Sequence, residues 1–386
     1  MFVDNTYLGE YVEMSISYLI RTNSLDSDER FVKTLEFLKG VEDSIQVFAI
    51  VKHKTKVDRS FIQRRLFFRR IFSGGSWILL KYAEMLLVTA VFLLTHRGRR
   101  WFANFDFMPL QILSTIFASR HNRPIWDLHE MPSVIFSHNP LLKKLFAYLL
   151  RNSEVIVCNR ARLESLQDTF GVNLSGALIL RNTPGHRAYR KLLETRRSFL
   201  SQETGQRDVR HIIITGGNSP GRFVWESVEV VKALREETGI DVRMTLVGGA
   251  ALKTSHEFVS STGFISFDQL VNHCVKGDIS LCFYETSSIN NLLCEPNRFY
   301  QAIVAGQHIF TFEHPSLQDV SYSRHHIIDE KNFASSLNCE IKKLIKVPLA
   351  HEDDLEVIDS PNTPILPFES QYAIFEVWFL KATYPD

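Results

Sequence analysis

The sequence predicts an α/β protein built from two doubly wound domains, each a parallel sheet covered by helices. Short apolar runs of strand length alternate with longer amphipathic segments of helical periodicity along most of the chain. This alternation occurs in two series, separated by a charged stretch. In addition, a chain of 386 residues exceeds the usual size of a single hydrophobic core, so two domains are expected.

The first series of strands spans the N-terminal half. Its candidates are ISYLI at 16–20, IQVFAI at 45–50, RRWFANF at 99–105, RPIWDL at 123–128, EVIVCN at 154–159 and ALILRN at 177–182. Two helical segments between them, DERFVKTLEFLKG and RARLESLQDTFG, stop at Gly40 and Gly171, as expected for C-terminal caps. These elements predict one doubly wound domain.

The second series begins after residues 186–208, a charged segment that we interpret as a linker with some helix. Its candidate strands are HIIITGG at 211–217, RMTLVGG at 243–249, GFISF at 263–267, DISLCFY at 278–284 and QHIFTF at 307–312. We therefore expect domains at residues 1–190 and 205–365, followed by a C-terminal helix within 366–386.

Composition and charge exclude several classes. The 44 basic and 43 acidic residues leave a net charge of +1, so the chain lacks the overall field of a nucleic-acid-binding protein. Five cysteines without a CxxC pair indicate a reducing compartment and no metal site. The N-terminus has no secretory signal pattern, so we expect a cytoplasmic location.

Two neighbouring segments bear on membrane contact. Residues 76–96 are apolar for about one membrane span, but Lys81 and Glu84 interrupt them, which favours a buried amphipathic helix. Residues 61–72, FIQRRLFFRRIF, are predicted to form a helix in a membrane interface, with an ordinary surface helix as the alternative. The interface residues would be Arg64, Arg65, Phe67, Phe68, Arg69 and Arg70.

Three titratable residues follow the strand candidate at 125, in the run IWDLHEM. In open parallel sheets, ligands bind beyond the carboxyl ends of the strands. Asp127, His129 and Glu130 are therefore predicted to lie in a cleft and are the candidate catalytic residues. The alternative for a single histidine such as His129 is a structural role.

A glycine loop opens the second domain. In IIITGGNSPGRFVWESVEVVKAL, a strand runs into Gly216, Gly217 and Asn218, and Arg222 lies at the opening of the next helix. Backbone N–H groups of such a loop and helix N-terminus bind phosphate, and an arginine adds a bidentate contact. The GK[ST] ending of a P-loop is missing. A tight turn without a ligand is the alternative.

A third candidate is CEPNRFYQAIVAG at 294–306. We expect Pro296 in the first turn of a helix, Asn297 and Arg298 near its positive end, and Gln301 one turn later on the same side. A diphosphate and a ribose would find partners there. The alternative is a capped helix that stops at Gly306.

Together these pieces resemble the bacterial family 4 retaining glycosyltransferases of the GT-B fold. The matching motifs, in order, are IWDLHEM, EVIVCNRARLESLQDTFGV, LILRNTP, TGGNSPGR, LVGG, GFISFDQLVNHCVKGDISLCFYE and EPNRFYQAIVAG. The resemblance implies two Rossmann-like domains facing across a cleft, with a nucleotide-sugar donor on the C-terminal domain and the acceptor on the N-terminal one. It also implies metal-independent transfer with retention, no cofactor, and a C-terminal helix that crosses back to the N-terminal domain.

The same resemblance assigns roles to residues. His129 approaches the reacting sugar, Arg222 meets the donor phosphates, and Asn297 and Arg298 match the family's PNK pattern. The family's usual pair of glutamates falls at Leu293 and Gln301, and Glu295 is a candidate substitute for the first. The full donor-binding set is Gly216, Gly217, Asn218, Arg222, Gly248, Glu295, Asn297, Arg298 and Gln301.

The expected function is transfer of a sugar from a nucleotide sugar to a lipid-linked or surface-polysaccharide acceptor, at the cytoplasmic face of the inner membrane. Two alternatives stay open. Nucleotide-sugar 2-epimerases share the architecture, and the departures at Leu293 and Gln301 also fit a degenerate partner protein that scaffolds an active transferase.

Overall fold

The computed structural model describes residues 16–22, 25, 28–41, 45–51, 64–69, 78–96, 100–104, 108–118, 122–202, 210–218, 220–249, 256–345 and 367–383. For residues 64–69, 78, 81 and 383 it describes the backbone alone. The chain divides into two compact units. Unit 1 comprises Met1–Arg181 and Gln371–Asp386, and unit 2 comprises Asn182–Ser370.

Unit 1 is built on a seven-stranded parallel sheet. Its strands are β1 Ile16–Thr22, β2 Ile45–Val51, β3 Arg64–Arg69, β4 Arg100–Asn104, β5 Ile125–Leu128, β6 Glu154–Val157 and β7 Leu178–Ile179. They are arranged in the order β3-β2-β1-β4-β5-β6-β7, so the direction of winding reverses between β1 and β4. This is a doubly wound sheet, which requires helices on both faces.

The helices of unit 1 cover both faces of this sheet. Numbered in chain order they are α1 Glu29–Val41, α2 Ile78–Thr95, α3 Met108–Phe117, α4 Val134–His138, α5 Pro140–Arg151, α6 Arg160–Phe170 and, near the C-terminus, α13 Tyr372–Thr383. Tyr18 of β1 packs against Phe31 of α1, whereas Phe48 of β2, whose register partner is Leu19, stacks on Phe92 of α2. Since neighbouring residues of a strand point to opposite faces, α1 and α2 lie on opposite sides.

The same reasoning places α5 and α13. Trp126 of β5 is in register with Ala103, the partner of Leu19, and it packs on Phe146 of α5, so α5 shares the face of α2. On the other face, Phe375 of α13 stacks on Phe37 of α1 with 3.7 Å between ring centroids. Helix α3 contacts both α2 and α5 and completes the layer between them.

Unit 2 is built on a six-stranded parallel sheet. Its strands are β8 Arg210–Thr215, β9 Val242–Val247, β10 Val259–Gly263, β11 Ile279–Leu281, β12 His308–Thr311 and β13 His325–Ile327. Their order, β10-β9-β8-β11-β12-β13, again reverses at the centre, between β8 and β11. The prediction of two doubly wound parallel sheets is thus confirmed.

The helices of unit 2 form two layers with separate cores. They are α7 His186–Gln202, α8 Val224–Thr238, α9 Phe267–Lys276, α10 Ile289–Leu292, α11 Asn297–Val304 and α12 Phe333–Ile345. One core joins α8 and α12 to one face of the sheet, and the other joins α7, α9 and α11 to the opposite face. Short 3-10 turns occupy Pro315–Leu317 and Phe368–Gln371.

The segment at 61–72, predicted as an interfacial helix, contains a strand instead. Residues 64–69 form β3, which pairs in parallel with β2 along its whole length. Arginines and phenylalanines in a run of six residues fit a strand as well as a helix, and the exposed edge of β2 supplies the backbone partners that decide the outcome. Arg70 lies outside the described residues.

The sequence predicts that helix α2 is buried, but the structure buries only one of its sides. Met85, Thr89, Phe92 and Leu93 are buried against the sheet, while the opposite side exposes large apolar side chains, among them Leu79 at 81%. The alternation of buried and exposed residues is helical, but the exposed side is not polar. The sequence analysis missed the exposed side because apolar residues occur on both sides of α2, so the pattern does not show which side faces the sheet.

Three boundaries also differ from the prediction. The supposed linker contains α7, whose Leu192 lies in the core of unit 2, so the unit boundary is at 181/182 and not at 190. The run GFISF is not a strand: β10 ends at Gly263, and α9 begins at Phe267 after a capping box formed by Ser266 and Gln269. Helix α1 continues through Gly40 to Val41.

Candidate functional site

The carboxyl ends of β8, β9 and β11 in unit 2 converge at the point where the strand order reverses. Strands β8 and β11 are hydrogen-bonded neighbours, but the helices that follow them lie on opposite faces of the sheet. Helix α8, after β8, packs on one face, and α11, after β11, packs on the other. Connections that diverge in this way open the crevice in which doubly wound sheets bind ligands.

The loops after β8 and β9 touch backbone to backbone at glycines. Gly217 and Gly249 have φ angles of +79° and +74°, which favour glycine. A Cβ atom on Gly249 would lie 2.7 Å from the Cα of Gly217, so no side chain fits there. Gly216 and Gly248, which the sequence singled out, belong to the same two loops, and Asn218 is exposed beside them.

The loop after β8 ends at a strained residue. Phe223 precedes α8 with φ +53°, the single non-glycine residue with positive φ in the described part of the chain. Its ring packs against Phe312 and Phe333, with centroids 4.8 Å and 4.9 Å away. This packing holds the residue in a conformation that costs about 1–3 kcal/mol, and strain of this kind concentrates at binding sites.

Arg298, in the first turn of α11, bridges the two central strands. One terminal nitrogen donates to the carbonyl oxygen of Thr215, at the end of β8, and the other to that of Phe283, just beyond β11, each at 2.8 Å. The side chain is 7% exposed, and its Nε–H is buried with no hydrogen-bond acceptor within the described residues. Its charge is therefore stabilised by neutral carbonyl groups.

Arg222 lies next to Arg298, and Tyr284 lies against both. The guanidinium carbon of Arg222 is 4.9 Å from the Tyr284 ring centroid, and that of Arg298 is 4.2 Å away. Arg222 also donates to the carbonyl of Gly216 at 3.1 Å. The pKa of Arg222 is lowered, first by burial and then by the positive charge of Arg298.

The groups that act most strongly on the pKa of Arg222 include no carboxylate. The contributions that oppose the lowering of its pKa come from Tyr284, Cys294 and Cys282. Two like charges at a partly buried position repel each other unless an anion joins them. The arrangement is therefore suited to bind an anion such as a diphosphate, and we call Arg222, Tyr284 and Arg298 the arginine cluster.

The other residues of the third motif have mixed positions. Pro296 is the N-cap of α11 and not part of its first turn, and Asn297 and Gln301 are half-buried one turn apart. Glu295 is 5% exposed and accepts a hydrogen bond from the hydroxyl of Tyr300. Leu293 is buried at 4% exposure and carries no polar group.

Asp127 in unit 1 is not in a cleft, which corrects its assignment as a catalytic residue. It is fully buried, and the guanidinium of Arg30 donates to both carboxylate oxygens, at 2.9 Å and 2.7 Å. Burial alone would lower the pKa of Arg30, but the charge and hydrogen bonds of Asp127 outweigh it and raise this pKa. Asp127 alternates with Trp126 along β5, so its side chain points toward α1 and not beyond the strand end.

The remaining residues of that motif are accessible. His129 is partly exposed immediately after β5, and Glu130 is exposed in the following bend. Both lie at the carboxyl end of a central strand of unit 1, where a doubly wound sheet binds ligands.

Three residues of these sites were missed by the sequence analysis. Arg30 could have been found as a charged residue on the buried side of α1, beside Phe31, because a charge there needs a buried partner. Tyr284 ends the quoted run DISLCFY, but nothing in the run shows that two arginines contact it. The left-handed conformation of Phe223 has no signal in the sequence.

Comparison with known proteins supports the fold assignment. No protein-family model and no curated protein matches the sequence. Among solved structures, Anabaena Alr3699/HepE in complex with UDP and glucose is 12% identical, with 95% of this chain and 99% of that chain covered at a TM-score of 0.62. WaaG, a glycosyltransferase involved in lipopolysaccharide biosynthesis, is 11% identical, with 93% and 99% covered at 0.61.

A UDP-GlcNAc 2-epimerase from Methanocaldococcus jannaschii is also similar. It is 11% identical, with 95% of this chain and 99% of that chain covered at a TM-score of 0.54. Identities this low show the fold alone. The chain has the two-domain GT-B fold.

Proposed function

We propose that this protein is a glycosyltransferase that moves a sugar from a nucleotide-sugar donor to an acceptor, with retention at the anomeric carbon. The observation that carries the proposal is the arginine cluster at the point of strand reversal in unit 2. A diphosphate is the group of a nucleotide sugar that such a cluster would recognise, because it combines high negative charge with acceptor oxygens for guanidinium donors.

The two arginines have different roles in this proposal. Arg222 is partly exposed and makes one hydrogen bond to a carbonyl, so it contacts the donor phosphates directly. Arg298 is held by Thr215 and Phe283, so it fixes the ends of β8 and β11 and raises the local positive potential. Both charges would stabilise the nucleoside diphosphate as it departs, which is where negative charge grows during transfer.

The donor and acceptor classes are proposed from the structural neighbours. HepE was crystallised with UDP and with UDP-glucose, and WaaG acts in lipopolysaccharide biosynthesis. We propose a UDP-sugar donor and a lipid-linked or surface-polysaccharide acceptor. No helix within the described ranges has both the length and the apolar character to cross a membrane. Peripheral attachment at the cytoplasmic face of the inner membrane is part of the proposal.

The chemistry is proposed to need no metal and no cofactor. His129 acts at the reacting sugar as a positioned polar group, with Glu130 beside it in the same loop. Gln301, in place of a glutamate, would bind a ribose hydroxyl through a neutral amide. Glu295 is engaged by Tyr300, so its contribution would be to support α11.

Donor binding tests the proposal. The melting temperature is measured with UDP, GDP, ADP and CMP sugars. A donor present at a hundred times its dissociation constant raises the free energy of unfolding by about 2.7 kcal/mol. Arg222→Ala should reduce the shift to about half or less at the same donor concentration. Arg324→Ala is the matched control, because it also donates to a backbone carbonyl, that of Gly306, at the amino-terminal side of β12. No shift with any nucleotide sugar would favour the scaffold alternative.

A second measurement separates transfer from epimerisation, which the M. jannaschii neighbour favours as the alternative. A donor that binds is incubated with and without candidate acceptors. Release of the nucleotide only when an acceptor is present supports the transferase. Conversion of the free nucleotide sugar without an acceptor would instead identify the protein as an epimerase.

A further inference from the structure

One face of unit 1 exposes an unusual number of apolar side chains. Of the 21 large apolar side chains that are exposed in the described part of the chain, 13 lie on helices α2 to α5. We call them the apolar layer: Leu79, Leu80, Tyr82, Leu86, Leu87, Val91, Leu94, Ile116, Val134, Ile135, Leu141, Leu145 and Tyr148.

These side chains belong to one continuous helical layer. Helix α3 contacts α2 on one side and α5 on the other, and α4 contacts α5. The inward stripe of α2 already fills the space above β2, where Phe92 stacks on Phe48 at 4.4 Å. The outward side chains, such as Leu79 at 81% and Leu87 at 66% exposure, therefore have no role in the core of unit 1. A patch of this size marks an interaction surface.

The charges on this layer have one sign over most of its extent. Residues 134–151, which form α4 and α5, contain Lys143, Lys144 and Arg151 and no acidic residue. Lys144 is exposed between Leu141, exposed at 78%, and Tyr148, at 61%. Helix α3 also contains no acidic residue, so Glu84 is the one acidic residue on helices α2 to α5.

We infer that the apolar layer docks on an anionic lipid surface. Apolar side chains that enter the interface, with lysines and arginines beside them, are the combination that binds helices flat on membranes containing anionic lipids. A protein partner would need acidic groups matched to Lys143, Lys144 and Arg151, whereas anionic headgroups supply that charge anywhere. The docking surface does not depend on the proposed transfer reaction, although it would bring a lipid-linked acceptor to this unit if that reaction holds.

Sedimentation with vesicles tests the apolar part of the surface. We expect the full-length protein to sediment with phosphatidylcholine vesicles that contain phosphatidylglycerol. Leu79→Asn with Leu87→Asn should weaken this binding about tenfold or more. Ile374→Asn with Val377→Asn is the matched control, because these side chains of α13 are exposed at 64% and 56% on the opposite face of the sheet. The control should bind as the wild type does.

A second pair of variants tests the charge. Replacing Lys143, Lys144 and Arg151 by glutamine should weaken binding about a hundredfold, since each basic residue near an anionic surface contributes about fivefold. Replacing Lys232, Lys276 and Lys331 by glutamine changes the net charge equally and should have little effect. Added salt should release the wild type.

Four outcomes would overturn the inference. The wild type fails to sediment with anionic vesicles, or the apolar-layer variants lose no more binding than their controls. Glutamine at Arg64, Arg65 and Arg69 abolishes binding while the layer variants retain it, which would assign the contact to β3. The fourth outcome is a wild-type dimer, measured by light scattering, that the double variant Leu79→Asn with Leu87→Asn converts to a monomer. The apolar layer would then bind a second copy of the chain and not a membrane.

Discussion

Arg30 in unit 1 and Arg298 in unit 2 are both buried near the carboxyl ends of strands, and the two are stabilised in opposite ways. In unit 1, Arg30 forms a two-point ion pair with Asp127, and its third nitrogen donates to the carbonyl of Leu180. In unit 2, Arg298 donates to the carbonyls of Thr215 and Phe283 and has no carboxylate partner in these contacts. In these contacts the first charge is paired with a carboxylate, and the second is held by neutral carbonyl groups.

The difference separates a structural arginine from one that prepares a binding site. An ion pair such as Arg30 with Asp127 leaves no net charge to attract a ligand, although breaking it is costly. Carbonyl groups orient Arg298 without cancelling its charge, so its field adds to that of Arg222 and favours an anion. The acceptors of a buried arginine therefore decide whether its charge remains available to a ligand.

The largest expected effect is on the stability of unit 1. Asp127→Asn should lower the free energy of unfolding by about 3–5 kcal/mol, because it leaves the charge of Arg30 buried without its partner. Urea unfolding followed by circular dichroism measures the loss. Replacing both residues, as Arg30→Met with Asp127→Leu, should cost less than the single change. A stability of Asp127→Asn close to that of the wild type would show that the ion pair contributes little.

The next effect is on turnover. His129→Ala should lower the initial rate about a hundredfold, within the range of a positioned polar catalytic group, with donor affinity and stability nearly unchanged. The rate is measured with the donor and acceptor found by screening, and the affinity by calorimetry. Glu130→Gln, in the same loop, is the matched comparison. A variant at His129 with normal turnover would remove this histidine from the chemistry.

The third prediction compares the two arginines of the cluster. Arg222→Ala should weaken nucleotide binding by about 1.5–3 kcal/mol with the melting temperature of the free protein unchanged, because it loses a charged hydrogen bond. Arg298→Ala should weaken binding and also lower the melting temperature, because two buried carbonyls lose their donor. Calorimetry and thermal melts measure the two properties. Equal melting temperatures for both variants would contradict the structural role of Arg298.

The smallest effect concerns His325, a half-buried histidine of β13. Burial, and then the charges of His326 and His314, lower the pKa of His325 to about 4. Between pH 6.5 and 4 the unfolded chain therefore binds a proton that the folded chain does not, so stability falls as the pH falls.

The contribution of His325 to this loss should be about 1 kcal/mol, since the ring is partly solvated. His325→Gln should reduce the difference in melting temperature between pH 7 and pH 5. His138→Gln, at an exposed position, is the control and should leave that difference unchanged. An unchanged difference in His325→Gln would show that this histidine does not drive the acid sensitivity.

The sequence by itself determined the class of fold. Alternating apolar runs and amphipathic segments located most strands, because a parallel strand inside a sheet is buried on both faces and requires a run of apolar residues. The edge strands β3 and β13 lack such a run. The second doubly wound unit and the glycine loop at Gly216 and Gly217 were located in the same way. These features depend on neighbours in the chain, which the sequence displays directly.

Tertiary structure decided what each charged or aromatic side chain does. Asp127 was expected in a cleft but pairs with Arg30, which is 97 residues away in the chain, and Arg298 bonds Thr215, 83 residues away. The segment at 64–69 became a strand because β2 offered an unpaired edge, and α2 exposed an apolar side because the sheet covers only one side of it. Partners distant in sequence fix these outcomes, and the local pattern does not identify those partners.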